Sequence, residues 1–225
     1  MKFGRNFLLL ILLISFTTFS FGEEKCCKDN ESMDVFETIK NRRSVRKFKD
    51  TAIPQEHIDK ILTAAIQAPS SGNQQPWKFV VIQTPEKVEE LGKKTIELSM
   101  KRRSESGKFD EEQLKMAKEK TTNYINGFLS APVYIVVLTD NNSKWSGYNH
   151  HDGPLAAMNI LLAARALGYG TVYATDSIPV EATKAVCNIP ESYTRVCLIP
   201  VGVPVEFPED HGRNPLKDFI INESF

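Results

Sequence analysis

Apolar positions along this chain recur in three rhythms, and the changes of rhythm mark its elements. An unbroken apolar run, Phe7 to Ile14, follows Lys2 and Arg5 and gives way to small residues ending at Ser20 and Gly22. A positive start, a short apolar centre and a small-residue exit read as a secretory signal peptide over 1–22, cut before Glu23. The alternative is an uncleaved membrane anchor over 7–21, although 15 residues fall short of the roughly 20 that span a bilayer. The segment 23–32 is polar and reads as a tether. From Met33 onward the rhythm becomes that of a folded domain, 33–225, with no internal repeat and no further linker.

Within that domain, period 3.6 alternates with short β-branched runs. Helices are expected over Met33–Asn41 (apolar face Val35, Phe36, Ile39), over Gln55–Ala68 behind Pro54, and over 86–128 with a break near Gly107. The stretch 86–128 is the most charged, and its run Lys101-Arg102-Arg103 reads as a wetted face flanked by Glu97 and Glu105. Leu155–Leu167 is apolar nearly all round, as expected of a helix in the middle of a protein or of a dimer interface. Val180–Cys187 is a short helix. Lys78–Thr84, Pro132–Thr139 and Thr194–Val203 read as buried strands, and Thr171–Thr175 as a short one. Interleaved helices and strands make one mixed α/β domain.

Composition adds exclusions. The chain of 225 residues has 28 basic and 28 acidic residues, so it lacks the basic excess of a nucleic-acid binder. Hydrophobic residues make up 41% of it, enough for a sizeable core. Of the four cysteines, Cys187 and Cys197 either pair or are simply buried, and sequence leaves both open. His150-His151-Asp152 invites a metal reading, but adjacent histidines point apart and no second ligand pair stands at i, i+4, so no metal is expected. The preferred reading there is a loop before a helix, with Asp152 near the helix N-terminus. No Gly-x-Ser-x-Gly elbow and no Gly-x-Gly-x-x-Gly nucleotide fingerprint occurs.

Three segments carry candidate chemistry. Arg42-Arg43-Ser44-Val45-Arg46 puts three arginine forks and a hydroxyl within five positions, while Val45 and Phe48 draw the segment toward the core. Guanidinium groups match phosphate oxygens, and half-buried ones need an anion. Ala68-Pro69-Ser70-Ser71-Gly72-Asn73-Gln74-Gln75-Pro76-Trp77 is a loop of hydroxyls and amides able to bracket a polar ring, or simply a tight helix-to-strand turn. His211-Gly212-Arg213 offers a second cation near the C-terminus.

The first two motifs at this spacing, with the later Gly168-Tyr169-Gly170 and Ile199-Pro200-Val201-Gly202, resemble the nitroreductase-like flavoproteins over Met33 to Leu216. The resemblance implies an α+β fold, a central mixed but mainly antiparallel sheet wrapped by helices, in an intertwined homodimer. It implies one FMN per subunit at the interface and reduction of nitro compounds, quinones or similar small-molecule acceptors by NAD(P)H in alternating half-reactions. It places Arg42, Arg43 and Ser44 on the FMN phosphate and ribityl chain, with Arg213 as the second phosphate cation and Arg46 at the pyrimidine edge. Pro69, Ser70, Ser71 and Asn73 would cover the ring from the partner subunit, and Asn123 would reach the pyrimidine. Ala174, Thr175 and Asp176 fall where a backbone N–H meets flavin N5. No side chain is an obligatory acid or base in such a site. His211 stands where relatives often carry a lysine, and the cap region 86–128 matches no one branch. Two other readings remain: an exported flavin-binding or anion-binding protein without turnover, and a dehalogenating or flavin-fragmenting relative.

Overall fold

The computed structural model describes residues 33–224. The signal or anchor segment, the tether and Cys26–Cys27 lie outside the described residues. The domain has six α-helices: α1 Val35–Asn41, α2 Gln55–Ala65, α3 Pro85–Glu105, α4 Glu111–Phe128, α5 Asn149–Ala166 and α6 Val180–Cys187. Its four strands, β1 Trp77–Ile82, β2 Val133–Asp140, β3 Gly170–Thr171 and β4 Tyr193–Gly202, form one sheet in the order β1-β2-β4-β3. All three strand pairs are antiparallel. The parallel component of the expected sheet is a single bridge between Ser44 and Thr171.

The sheet is covered on both faces, which explains why its central strands are continuous apolar runs. Alternate residues of β2 point to opposite sides. Tyr134, Val136 and Leu138 meet Leu91 of α3, Ile125 and Phe128 of α4, and Ala182 and Val186 of α6. Val133, Ile135 and Val137 meet Ile58 and Ile61 of α2 and Ala157, Ile160, Leu161 and Ala164 of α5. Gly153 lets α5 approach the sheet, since a Cβ there would lie 2.5 Å from Val196 Cγ2 and 2.9 Å from Thr139 Cγ2.

Three expectations are corrected. Helix α2 ends at Ala65, not Ala68: Gln67 and Ala68 make i→i−3 bonds to Ala64 and Ala65 as the chain enters Pro69, which disfavours helix before it. Helix α5 begins at Asn149, not Leu155, and contains Pro154. His150 and His151 are therefore inside a helix, ring against ring at 3.8 Å, not in a loop. The early start is held by tertiary bonds that propensity does not report, notably from Asn149 Nδ2 to the Asp140 carbonyl at 2.8 Å. The apolar face of α1, with Val35, Phe36 and Ile39, is exposed in the single subunit, and Thr38 is the buried residue of this helix. Cys187 and Cys197 are both free thiols.

The charged stretch behaves as its pattern says. Gly107, at φ +65°, separates α3 from α4, and Asp110 opens α4 with a reciprocal capping box to Gln113. Lys101 faces Glu105 at 3.8 Å and Arg102 pairs with Glu181 at 2.6 Å, so the basic run is answered on the surface.

Candidate functional site

The segment after α1 joins the sheet instead of forming a free loop. Val45 N–H donates to the Thr171 carbonyl at 2.9 Å, Lys49 N–H to the Val203 carbonyl at 2.8 Å, and Val205 N–H to the Lys47 carbonyl at 3.1 Å. Side chains fasten the same strip. A Cβ on Gly170 would lie 2.7–2.9 Å from three atoms of Val45, and one on Gly202 would lie 2.8 Å from Phe48 Cδ1. The chain leaving β4 thus runs beside residues 44–49, which carries Arg213 to the arginine cluster.

There Arg42, Arg43, Ser44, Arg46 and Arg213 line one cleft of about 140 Å³ together with Glu209, Asp210 and His211. Their charges are unevenly answered. Arg43 pairs with Asp210 at 2.7 Å and donates to the Lys40 carbonyl at 2.6 Å. Arg46 donates to the Ser44 carbonyl at 3.2 Å, and Arg213 to the Gly212 carbonyl at 2.6 Å. Arg42 has no ion pair or side-chain hydrogen bond among the described residues. Burial first, then the neighbouring guanidinium groups of Arg213 and Arg43, lower its pKa from the ordinary arginine value. Two mutually repelling cations with no carboxylate of their own define a receptor for a multiply charged anion.

The second predicted loop does not line that cleft within one chain. Its geometry is set by Asp152 of α5, which is 2% exposed. One carboxylate oxygen accepts from Ser71 N–H at 3.0 Å and Ser71 Oγ at 3.1 Å, the other from Gln74 Nε2 at 2.7 Å. Gln74 also clasps Trp145, giving Nε2 to its carbonyl at 3.1 Å and accepting its N–H at 2.7 Å. Pro69 and Asn73 are left exposed, with Ser70 half-buried and giving its Oγ as acceptor to Gln75 N–H at 3.0 Å. Gly72 and Asn73, at φ +57° and +54°, make the turn that keeps this face outward.

The third predicted group lies beyond β3. Ala174 is buried and exchanges two backbone bonds with Leu198, while Thr175 is exposed. Asn123 is exposed on α4, and the adjacent Tyr124 Oη contacts Ser177 Oγ at 2.9 Å, tying that helix to the segment after Thr175. The arginine cluster and Arg213 are therefore brought together, while the Pro69–Asn73 loop and Asn123 stand elsewhere on the subunit. Sequence reasoning missed two buried organisers. The sequence pattern marks Asp152 only as a residue near a helix N-terminus and does not mark Arg195 by any motif. A lone arginine in an otherwise apolar strand was the available signal for the latter.

Comparison with known proteins agrees with this architecture. Residues 39–203 match the Nitroreductase family, and the chain belongs to it. A Methanothermobacter thermautotrophicus protein named "Putative NADH dehydrogenase/NAD(P)H nitroreductase" is 35% identical over 181 residues, 78% of this chain and 80% of the relative. The iodotyrosine deiodinase of Haliscomenobacter hydrossis is 28% identical over 187 residues, 79% of this chain and 82% of the relative. Among solved structures, iodotyrosine deiodinase bound to FMN and 3-iodo-L-tyrosine superposes with a TM-score of 0.67 at 25% identity, covering 85% of this chain and 99% of that one.

Proposed function

We propose that this protein is an FMN-dependent oxidoreductase that reduces nitro compounds, quinones or similar acceptors with NAD(P)H as transient donor. The observation that carries the reading is the cleft where Arg42 and Arg213 converge without a carboxylate of their own. A phosphate monoester carries nearly two negative charges at neutral pH, which suits that pair better than any single anion of the protein. Arg42, Arg43, Ser44 and Arg213 would hold the phosphate and ribityl chain, and Arg46 would place positive charge at the pyrimidine edge. When bound, FMN supplies the hydride and electron transfer itself. The protein's own contribution is orientation and charge, not proton donation by a dedicated acid.

The site needs a second copy of the chain. Val35, Phe36 and Ile39 of α1, Leu155 and Met158 of α5, and Leu216, Phe219, Ile220 and Ile221 of the tail are all exposed apolar residues in the single subunit. Apolar surface on this scale favours association. In a homodimer, Pro69, Ser70, Ser71 and Asn73 of the partner subunit would cover the ring, and their rigid mounting on Asp152 suits that role. Residues 1–22 would direct export, which N-terminal sequencing of the mature protein tests.

The test is a visible spectrum of the purified dimer. A yellow protein that bleaches with NADH or NADPH and recovers with a nitroaromatic or quinone supports the reading. A yellow protein that no donor bleaches would make it a flavin-binding module, and a protein that takes up no FMN would refute both. A second reading, reductive dehalogenation, is favoured by the similarity to iodotyrosine deiodinases. Iodide release from 3-iodotyrosine under the same donor separates it from nitro reduction.

A further inference from the structure

Arg195 is a charge buried inside a strand, and nothing in the reading above uses it. It is 8% exposed and has no carboxylate within ion-pair distance among the described residues. Such a group is costly unless every donor is met. Here both terminal nitrogens are met by oxygens of one short segment and the helix that follows. Nη2 reaches the Thr175 carbonyl at 2.5 Å, and Nη1 reaches the Ile178 carbonyl at 2.8 Å, the Pro179 carbonyl at 3.4 Å and Thr183 Oγ1 at 3.0 Å.

Its placement depends on a local irregularity of the sheet. Opposite β2, Val137 pairs with Cys197 but Leu138 pairs with Arg195, so Val196 is an extra residue. Cys197 and Val196 both belong with the α2–α5 side of the sheet. In a regular strand Arg195 would share the face of Cys197. The bulge instead turns it to the α6 side, where Thr183 and the Thr175–Pro179 segment lie.

The consequence is a fixed peptide plane. The Thr175 carbonyl and the Asp176 N–H belong to one planar trans unit and point opposite ways. A carbonyl held inward on the guanidinium aims the Asp176 N–H outward. That N–H donates to no acceptor among the described residues, and both Thr175 and Asp176 are exposed.

We propose that Arg195 is a positioning residue for the flavin reaction: its planar fork locks the Thr175–Asp176 peptide so that the Asp176 N–H faces the ring. The assignment rests on the FMN reading and adds to it which backbone donor is used and what holds it. A lysine keeps the charge but offers one donor centre, which cannot span the Thr175 and Ile178 carbonyls together.

The experiment compares wild type, R195K and R195M for melting temperature, FMN affinity and flavin midpoint potential. The expected result is that both variants bind FMN within about threefold of wild type, because the phosphate cleft is built from other elements. Both should shift the equilibrium toward reduced flavin by about tenfold, roughly 30 mV for a two-electron couple, because ring N5 accepts the N–H when oxidised and carries its own hydrogen when reduced. R195K would recover melting temperature more than potential. Variants that melt lower yet keep the wild-type potential would reduce Arg195 to a structural plug and overturn the proposal. Full recovery of potential by R195K would overturn the fork argument in favour of charge alone. Should either variant fail to fold, T183V removes one acceptor and leaves the guanidinium in place. It should shift the potential the same way by a smaller amount, and an unshifted T183V would count against the proposal. A colourless wild type that takes up no FMN would instead sink the flavin reading itself, before any variant is compared.

Discussion

The arginine cleft and the α3–α4 hairpin are built on opposite physical principles. Residues 42–49 are woven into the sheet by backbone bonds to Thr171 and Val203 and by Val45 and Phe48 seated on Gly170 and Gly202. The hairpin presents long charged faces to water, with Leu91, Gly92 and Thr95 buried on α3 and Ile125 and Phe128 on α4. Its Lys93–Glu89, Lys94–Glu97 and Lys87–Glu90 pairs are solvent-facing, and such pairs contribute little to stability. A rigid cradle suits a group common to every turnover, whereas a loosely anchored cap suits parts of a site that must admit different acceptors. The cofactor is therefore readable from the first region, and the proposed function would leave acceptor identity to the second.

The largest expected effect breaks the cradle at its unpaired charge. Arg42→Ala removes at least one charge-assisted contact to phosphate, about 1.5–3 kcal/mol, or a loss of FMN affinity on the order of 10- to 100-fold. Fold stability should hold or rise slightly, because Arg42 is repelled by Arg213 and Arg43 and answered by no carboxylate. Titration of apoprotein with FMN checks this, and unchanged affinity would remove the phosphate from this cleft.

A second substitution attacks the weave itself. Gly170→Ala forces a methyl into contact with Cβ, Cγ1 and Cγ2 of Val45, all under 3.0 Å from the new atom. Val45 is 1% exposed and cannot move aside, so overpacking should cost about 1–3 kcal/mol. Because Val45 lies between Ser44 and Arg46, FMN affinity should fall together with the denaturation midpoint. A stability loss with unchanged FMN affinity would mean that the cradle is less dependent on the sheet edge than its bonds imply.

Much of this was legible in the sequence because periodicity and short motifs report local constraints. The strands of unbroken β-branched residues, the break at Gly107 and the Val180–Cys187 helix needed only that. The meeting of Arg42 with Arg213 came instead from family resemblance, since no local pattern links residues so far apart. What escaped was tertiary. The start of α5 depends on Asn149 reaching the Asp140 carbonyl, and a proline five residues later argued against it. The inward turn of Arg195 depends on a bulge that no alternation pattern marks. The exposure of the apolar face of α1 was not legible either, because amphipathicity records that a face is apolar, not what covers it.

The α2–α5 face of the sheet also carries an alkaline pH signature. Burial, outweighing the Tyr173 hydrogen bond and the nearby Arg195 charge, pushes the Cys197 thiol from 9.0 up to about 12. The folded state therefore keeps a proton that the unfolded chain releases near pH 9. Stability from this group is complete below pH 9, falls as pH rises, and is lost as pH passes about 12. Tyr173, raised from 10.0 to about 12 chiefly by burial, adds to the same slope. Denaturant midpoints measured from pH 8 to 11 should decline, and Cys197→Ala should flatten the decline while lowering stability overall. An equal slope in the variant would assign the alkaline loss to other groups.

The smallest expected effect sharpens the comparison from the cap side. Asp110 accepts the Gln113 N–H at 2.8 Å, and Gln113 Oε1 accepts the Asp110 N–H at 3.1 Å, so this surface pair caps the first turn of α4. Asp110→Ala should cost about 0.5–2 kcal/mol, with most of the loss confined to fraying of that turn. The cradle shares no element with it, so FMN affinity and midpoint potential should match wild type. If α4 helps to bound the acceptor, as its Tyr124–Ser177 contact suggests, KM for the acceptor should rise a few-fold while kcat changes less. Hydrogen exchange on the helix amides would register the fraying independently of turnover. An acceptor KM that stays fixed while those amides exchange faster would place acceptor binding away from the start of α4, and a change in midpoint potential would show that cap and cradle are coupled after all.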